Sequence, residues 1–283
     1  MFNFTSISEP VLRLAAFVGV FAVMASLEWL RPKRTPRYAK ARRWLTNLSM
    51  VALGAFVVRA LVWLSSLVAV PLAAVIAADT AALHGWGVLN AWTAGPDWAK
   101  TLIALIVLDL AIYLQHVASH KLPLLWRLHK MHHADVDFDV TTALRFHPIE
   151  IGLSMLYKVV WVLALGPSVL AVIVFEVTLN ACAMFNHANV RLPASLDNAI
   201  RRVIVTPDMH RIHHSVHRDE HNTNYGFNLS IWDRLFGTYT HAPRDGQTGM
   251  VIGLDTYQHT GPTQLAWSLS LPWSSQHPPS NQP

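Results

Sequence analysis

Residues 115–135 read QHVASHKLPLLWRLHKMHHAD, and five of these 21 positions are histidine. The five are His116, His120, His129, His132 and His133. Side chains three or four residues apart point the same way on an α-helix. Imidazole is a poor choice for a solvated helix face, but it is a preferred ligand of several transition metals. The stretch therefore indicates a metal site built on helices.

A second cluster, HRIHH, repeats the end of the first stretch at His210, His213 and His214. The two stretches together supply eight imidazoles, whereas a zinc ion usually takes about three or four protein ligands. Eight ligands are too many for one ion and suit two. Imidazole binds Zn, Cu, Fe and Ni alike, so the ligand type alone leaves the metal open.

Two single histidines lie between the clusters, His147 in RFHP and His187 in FNHAN. Both are expected to reach the same membrane face as the clusters, and both are predicted to be further metal ligands. Asp109 and Asp135 are predicted to accept hydrogen bonds from imidazole N–H groups, as carboxylates near metal-bound histidines commonly do.

The composition predicts a membrane protein, because 52% of the 283 residues are hydrophobic and only 14% are charged. Soluble domains carry roughly a quarter charged residues. Apolar runs cover residues 10–30, 45–78, 101–115 and 151–185, and the last is broken at Gly166-Pro167, as expected for a helical hairpin. We therefore expect an all-α integral membrane protein with about four to five membrane-embedded helices and a helical cap.

The basic segment 31–43, RPKRTPRYAKARR, contains no acid and predicts a cytoplasmic loop. Following the spans from this loop places every histidine cluster on the cytoplasmic face. The net charge of +5 is concentrated here, which favours a topology signal and lipid contact over nucleic-acid binding. The one cysteine, Cys182, cannot form an internal disulfide, which fits a reducing compartment.

The motifs resemble those of the fatty acid hydroxylase / sterol desaturase superfamily of membrane di-iron oxidases. The resemblance rests on H-x3-H at His116, on H-x2-H-H at His129, and on the later H-x2-H-H at His210. The segment NYGFNLSIWDRLFGT (224–238) is also similar to that family, and DFDVTTALRFHPIE (137–150) to its bacterial members. We therefore expect N-terminal membrane helices with a basic loop over 1–99, a catalytic domain over 100–240 and a partly disordered extension over 241–283.

The resemblance implies two non-haem iron ions held mainly by the eight motif histidines, at the cytosolic face of a bacterial inner membrane. It implies that O2 is the co-substrate and that a sterol, fatty acyl or ether lipid is hydroxylated, desaturated or, in some members, cleaved at an ether bond. Some members have a further H-x3-H pair before the last cluster, but here Ala183 stands four residues before His187. His147 is the hypothesised substitute.

No haem or flavin domain is apparent, so a separate electron donor of the reductase, ferredoxin or cytochrome type is implied. Two other classes stay open. A membrane zinc hydrolase would need an acid such as that of H-E-x-x-H, and the clusters contain none. A metal transporter or haem-b carrier would place its histidines near the membrane midplane, whereas these collect at predicted helix ends.

Overall fold

The computed structural model describes residues 9–274, and the regular structure within this range is helical, with isolated β-bridges but no strand. The α-helices are α1 (Glu9–Leu30), α2 (Lys40–Val68), α3 (Ala74–His84), α4 (Val88–Ala91), α5 (Asp97–Lys121), α6 (Pro123–His133), α7 (Pro148–Leu165), α8 (Val169–Asn186), α9 (Ala194–Ile200), α10 (Pro207–His213), α11 (Arg218–His221), α12 (Ile231–Leu235), α13 (Gly246–Gly249) and α14 (Leu265–Ser270). The predicted all-α fold is confirmed.

Five of these helices, α1, α2, α5, α7 and α8, are long and apolar enough to cross a membrane. The predicted hairpin is present, because α7 ends at Gly166 and α8 begins at Val169. Gly166 has a left-handed backbone with φ +67°, and a Cβ there would collide with the carbonyl oxygen of Trp86. Glycine is thus required at this turn on two counts.

The apolar run 45–78 is divided between two helices. α2 stops at Val68, Ala69 takes a left-handed conformation with φ 52°, and α3 starts at Ala74. The small residues Ala77 and Ala81 are fully buried on α3. Their size allows α3 to pack closely on the α7–α8 hairpin.

The basic segment 31–43 is folded against the loop that follows α6 and is not simply exposed to solvent. Arg43, fully buried at the start of α2, donates to both carboxylate oxygens of Asp135 at 2.8 Å and to Asp139 at 2.7 Å. Burial opposes ionisation of Asp135, but the Arg43 guanidinium outweighs it and lowers the pKa of Asp135 to about 2. At the end of α1, Glu28 accepts backbone N–H bonds from Val140 and Asn189. These contacts fix the loop that follows α6.

Residues 241–274 form short helical turns that pack on the cap. Leu271 lies in one apolar cluster with Met131 of α6 and Met50 of α2. Arg127 donates to the carbonyl oxygen of Pro272 at 2.9 Å. The tail after Ser274, for which the sequence predicts disorder, lies outside the described residues, and the domain boundaries stay a prediction.

Candidate metal centre

Nine histidines form two adjacent groups. Within each group, every histidine has one ring nitrogen that lies within 4.8 Å of those of the other members. The five-histidine group contains His116, His120, His129, His133 and His213. The four-histidine group contains His132, His187, His210 and His214. All eight motif histidines and His187 are therefore brought together, as the sequence predicts.

Each H-x2-H-H motif is shared between the groups. In the first motif, His129 and His133 join the five-histidine group, whereas His132 belongs to the other. Residues four apart lie on one side of a helix. His132 comes one residue before His133 and is therefore turned from it by about 100° around the helix axis. One short helix thus contributes to both groups.

Hydrogen bonds fix the ring tautomers in the five-histidine group. The Nδ1 atoms of His116 and His213 each lie 2.7 Å from a backbone carbonyl oxygen, of Tyr225 and Thr223 respectively. A carbonyl oxygen only accepts, so Nδ1 carries the proton and Nε2 of the neutral ring carries a lone pair. The Nδ1 atom of His129 likewise donates to Glu150 at 2.7 Å.

The three resulting lone pairs converge. His116 Nε2 lies 3.0 Å from His213 Nε2 and 3.2 Å from His129 Nε2. Two acceptors at this distance share no proton and repel each other. A cation between them would turn the repulsion into coordination, so these residues fit a metal ion.

The four-histidine group leads to the same conclusion. His187 donates from Nδ1 to the carbonyl oxygen of Ala183 at 2.8 Å, and its Nε2 lies 3.2 Å from Nε2 of both His132 and His210. The single lone pair on His187 Nε2 can accept a hydrogen bond from only one of those two rings. Nδ1 of His132, Nδ1 of His210 and both nitrogens of His214 are buried and have no hydrogen-bond partner within residues 9–274. Unpaired buried nitrogens are uncommon in proteins, and a metal ion would satisfy them.

The histidines of the cap are held in the form that binds metals. Burial, reinforced by neighbouring imidazoles, lowers the pKa of His132, His133 and His214 well below the usual value. Burial also lowers the pKa of His187 to about 4. These rings are therefore neutral at pH 7, as metal ligation requires.

His147 is not brought to either group, and its predicted role as a metal ligand stays a prediction. It lies at the N-cap of α7, where Nδ1 accepts from the backbone N–H of Ile149 at 3.2 Å. Its Nε2 lies 3.3 Å from the carbonyl oxygen of Leu269. Both ring nitrogens thus contact backbone, because Pro148 opens the helix and leaves the ring at its entrance.

Among residues 9–274, Asp109 and Asp135 accept no hydrogen bond from an imidazole, and their predicted role stays a prediction. Asp109 accepts from the indole N–H of Trp232 at 2.8 Å, and Asp135 binds Arg43. The carboxylate that does hold a ring is Glu150, which the sequence reading missed. An acid in the first turn of an apolar helix, three residues after His147, is the signal that could have identified it.

The segment 222–238 supplies the backbone oxygens that orient His116 and His213. Asp233 accepts the N–H groups of Tyr225 and Gly226, each at 2.8 Å, and shapes the turn. A Cβ on Gly226 would lie 2.8 Å from the Asp233 carboxylate, so glycine is needed here. The sequence indicated the importance of this segment but not the role of its main chain.

Two cavities reach the five-histidine group from different sides. A cavity of about 500 Å³ lies among α1, α2, α5, α7 and α8, is mostly apolar, and is bounded at one end by His116, His129 and Glu150. This is the apolar cavity. A second cavity of about 680 Å³, the cap cavity, reaches His120 and is bordered by Trp126 and His221. No residue of the four-histidine group lines either cavity.

Over the described range, fold and site together define an all-helical structure with five candidate membrane helices and two histidine groups suited to metal binding. Residues 101–238 match the family model described as fatty acid hydroxylase. This part of the chain thus matches a fatty acid hydroxylase domain, and the predicted resemblance is confirmed.

Several curated proteins are similar over the same region. Ornithine lipid hydroxylase of Rhizobium tropici is 29% identical over 153 residues, which is 54% of this chain and 45% of that protein. Human alkylglycerol monooxygenase is 27% identical over 170 residues, 59% of this chain and 36% of that protein. Cholesterol 25-hydroxylase of Rattus norvegicus is 26% identical over 147 residues, 51% and 48% of the two chains. The matches thus span less than half the length of these relatives, and no solved structure matches the chain.

Proposed function

We propose that this protein is a membrane-bound, non-haem di-iron enzyme that uses O2 to hydroxylate or desaturate a lipid. The observation that carries the proposal is the convergence of imidazole lone pairs at the end of an apolar cavity. The lipid hydroxylases and the monooxygenase among the relatives support the same chemistry.

Two iron ions, when bound, would supply the activation of O2 and the oxidation of a C–H bond. The five-histidine group would hold one ion and the four-histidine group the other. Tyr225, Thr223 and Glu150 keep three rings of the first group oriented through their Nδ1 atoms. Ala183 does the same for His187. Such fixed rings let the site bind metal without reorganising.

The apolar cavity is the proposed lipid site. Ile112, Met155 and Leu179 are among its lining residues, and they exclude water from the end where His116 and His129 lie. Exclusion of water prevents side reactions and strengthens the electrostatic contacts at the site. We propose that a sterol, fatty acyl or ether lipid enters this cavity from the bilayer.

The cap cavity is the proposed side for electron delivery. It is bordered by Lys121, Lys130 and Arg218, with Asp255 as the opposing charge, and it reaches His120. A basic surface favours an acidic partner through complementary charge. We propose a separate donor of the reductase, ferredoxin or cytochrome type, at the cytoplasmic face of a bacterial inner membrane.

Metal analysis and isotope labelling test the proposal together. Purified protein should contain two irons per chain, and incubation with ¹⁸O2, an electron donor and membrane lipids should give a lipid containing ¹⁸O or a new double bond. His213→Ala protein is the matched control. It should contain less iron and form no lipid product. Stoichiometric zinc in freshly isolated protein, with no O2-dependent lipid product, would contradict it.

A further inference from the structure

One wall of the apolar cavity carries a line of polar side chains along α7. Glu150, Ser154 and Lys158 are four residues apart, and all three line the cavity. The line runs about 12 Å along the helix, at 1.5 Å per residue. Polar groups within a membrane helix are costly and usually serve a function.

Glu150, nearest the histidines, uses only one of its two oxygens. Oε1 accepts from Nδ1 of His129 at 2.7 Å, whereas Oε2 is buried and has no partner among the described residues. The residue as a whole is only 9% exposed. A buried carboxylate oxygen without a donor is unfavourable, and a ligand that supplies the donor gains what the protein lacks.

The other polar groups on this wall already have partners. The Ser154 hydroxyl donates to Gln115 at 3.2 Å. The Lys158 ammonium donates to Glu176 at 2.6 Å, and Arg13 binds the other oxygen of that carboxylate. The missing donor is therefore localised at Glu150, next to the converging nitrogens of His116 and His129.

We propose that the lipid substrate carries a hydrogen-bond donor, a hydroxyl or an amide N–H, close to the carbon that is oxidised, and that Glu150 Oε2 accepts from it. The position of the donor relative to the oxidised carbon rests on the proposed function, whereas its binding by Glu150 does not. A plain hydrocarbon segment would leave Oε2 unpaired. The cavity therefore selects lipids with a polar group near the reacting position over unsubstituted chains.

Matched probe lipids test the donor directly. Metal-loaded protein in nanodiscs would be titrated with hexadecanol and its methyl ether, and with N-dodecylacetamide and its N-methyl analogue. Each pair differs mainly in the presence of a donor, and the two pairs separate hydroxyl from amide recognition. A hydrogen bond to a charged group predicts that the donor-bearing member of at least one pair binds about 10- to 100-fold more tightly. Equal affinities within both pairs would overturn the proposal.

Glu150→Gln supplies the second test. The amide oxygen can still accept from His129, but an NH2 group replaces Oε2, so the preference should vanish or reverse towards the methyl ether. Ser154→Ala, one helical turn away on the same wall, should keep the wild-type preference. An undiminished preference in Glu150→Gln protein with normal metal content would overturn the proposal. If that variant loses its metal, the wild-type probe pairs still decide.

Binding and turnover separate this inference from the proposed function. Donor preference without any O2-dependent lipid product would refute the enzyme activity and keep the binding site. Lipid oxidation with no donor preference would support the enzyme activity and refute the binding site.

Discussion

Helix α6, and helix α10 together with its C-cap residue, carry the same H-x2-H-H motif, yet they divide it between the two groups in opposite ways. α6 gives two histidines to the five-histidine group and His132 to the other, whereas His210 of α10 and the C-cap residue His214 join the four-histidine group and His213 joins the other. In each case the two residues that stay together are four apart. Each motif therefore contributes histidines to both groups rather than to one.

The two groups also differ in their surroundings. The five-histidine group borders both cavities, through His116 and His129 on one side and His120 on the other. The four residues of the other group are fully buried and border neither. The difference suggests a division of labour, in which substrate and electron donor meet the first group and the second is enclosed support.

His187→Ala should have the largest effect. His187 is the one member of the four-histidine group outside the motifs, and its Nε2 faces both His132 and His210. Its loss should remove one of the two proposed ions and abolish lipid oxidation. Iron per chain and product formation measure this. Retention of two irons would show that the enclosed group does not depend on His187.

Arg43→Met should destabilise the fold, because Arg43 fixes the loop that follows α6 through Asp135 and Asp139. Breaking a buried ion pair leaves an uncompensated charge and costs about 3–5 kcal/mol. Thermal unfolding should show this loss. The exposed neighbour Arg42 provides the control, since Arg42→Met should leave the unfolding temperature unchanged. Equal stability of the two variants would contradict the structural role of Arg43.

Glu150→Ala should separate the two groups, because among the described residues only the five-histidine group contains a ring held by a carboxylate, and alanine leaves His129 without that partner. Loss of such a partner typically lowers metal affinity about 10- to 100-fold. Competition with a chelator should therefore release one ion early and the other at the wild-type concentration. Simultaneous release of both would indicate that the groups bind metal as one unit.

His147→Ala should have the smallest effect. The ring caps α7, and loss of a cap costs about 1 kcal/mol of stability, with no change in metal content. A loss of iron in this variant would reinstate His147 as a ligand and would mean that the metal-bound site differs from the arrangement described.

Local spacing explains what the sequence predicts correctly. The helix hairpin follows from Gly166-Pro167, and the convergence of the motif histidines follows from three- and four-residue spacing on helices. The division of each motif does not follow, because it depends on how α6 and α10 are rotated against each other. Nor could spacing reveal the contacts of His116 with Tyr225 or of Arg43 with Asp135, which join residues 109 and 92 positions apart.

Two rings of the five-histidine group are oriented by main-chain oxygens of the segment 222–238, and this has a consequence for mutagenesis. Thr223→Val or Tyr225→Phe keeps the oxygen that holds His213 or His116, so a scan of side chains would pass over both positions. A one-residue deletion in this segment would displace both oxygens at once. Tolerance to point substitution here, combined with intolerance to changes in length, would be the genetic signature of a site that is held by the path of its backbone.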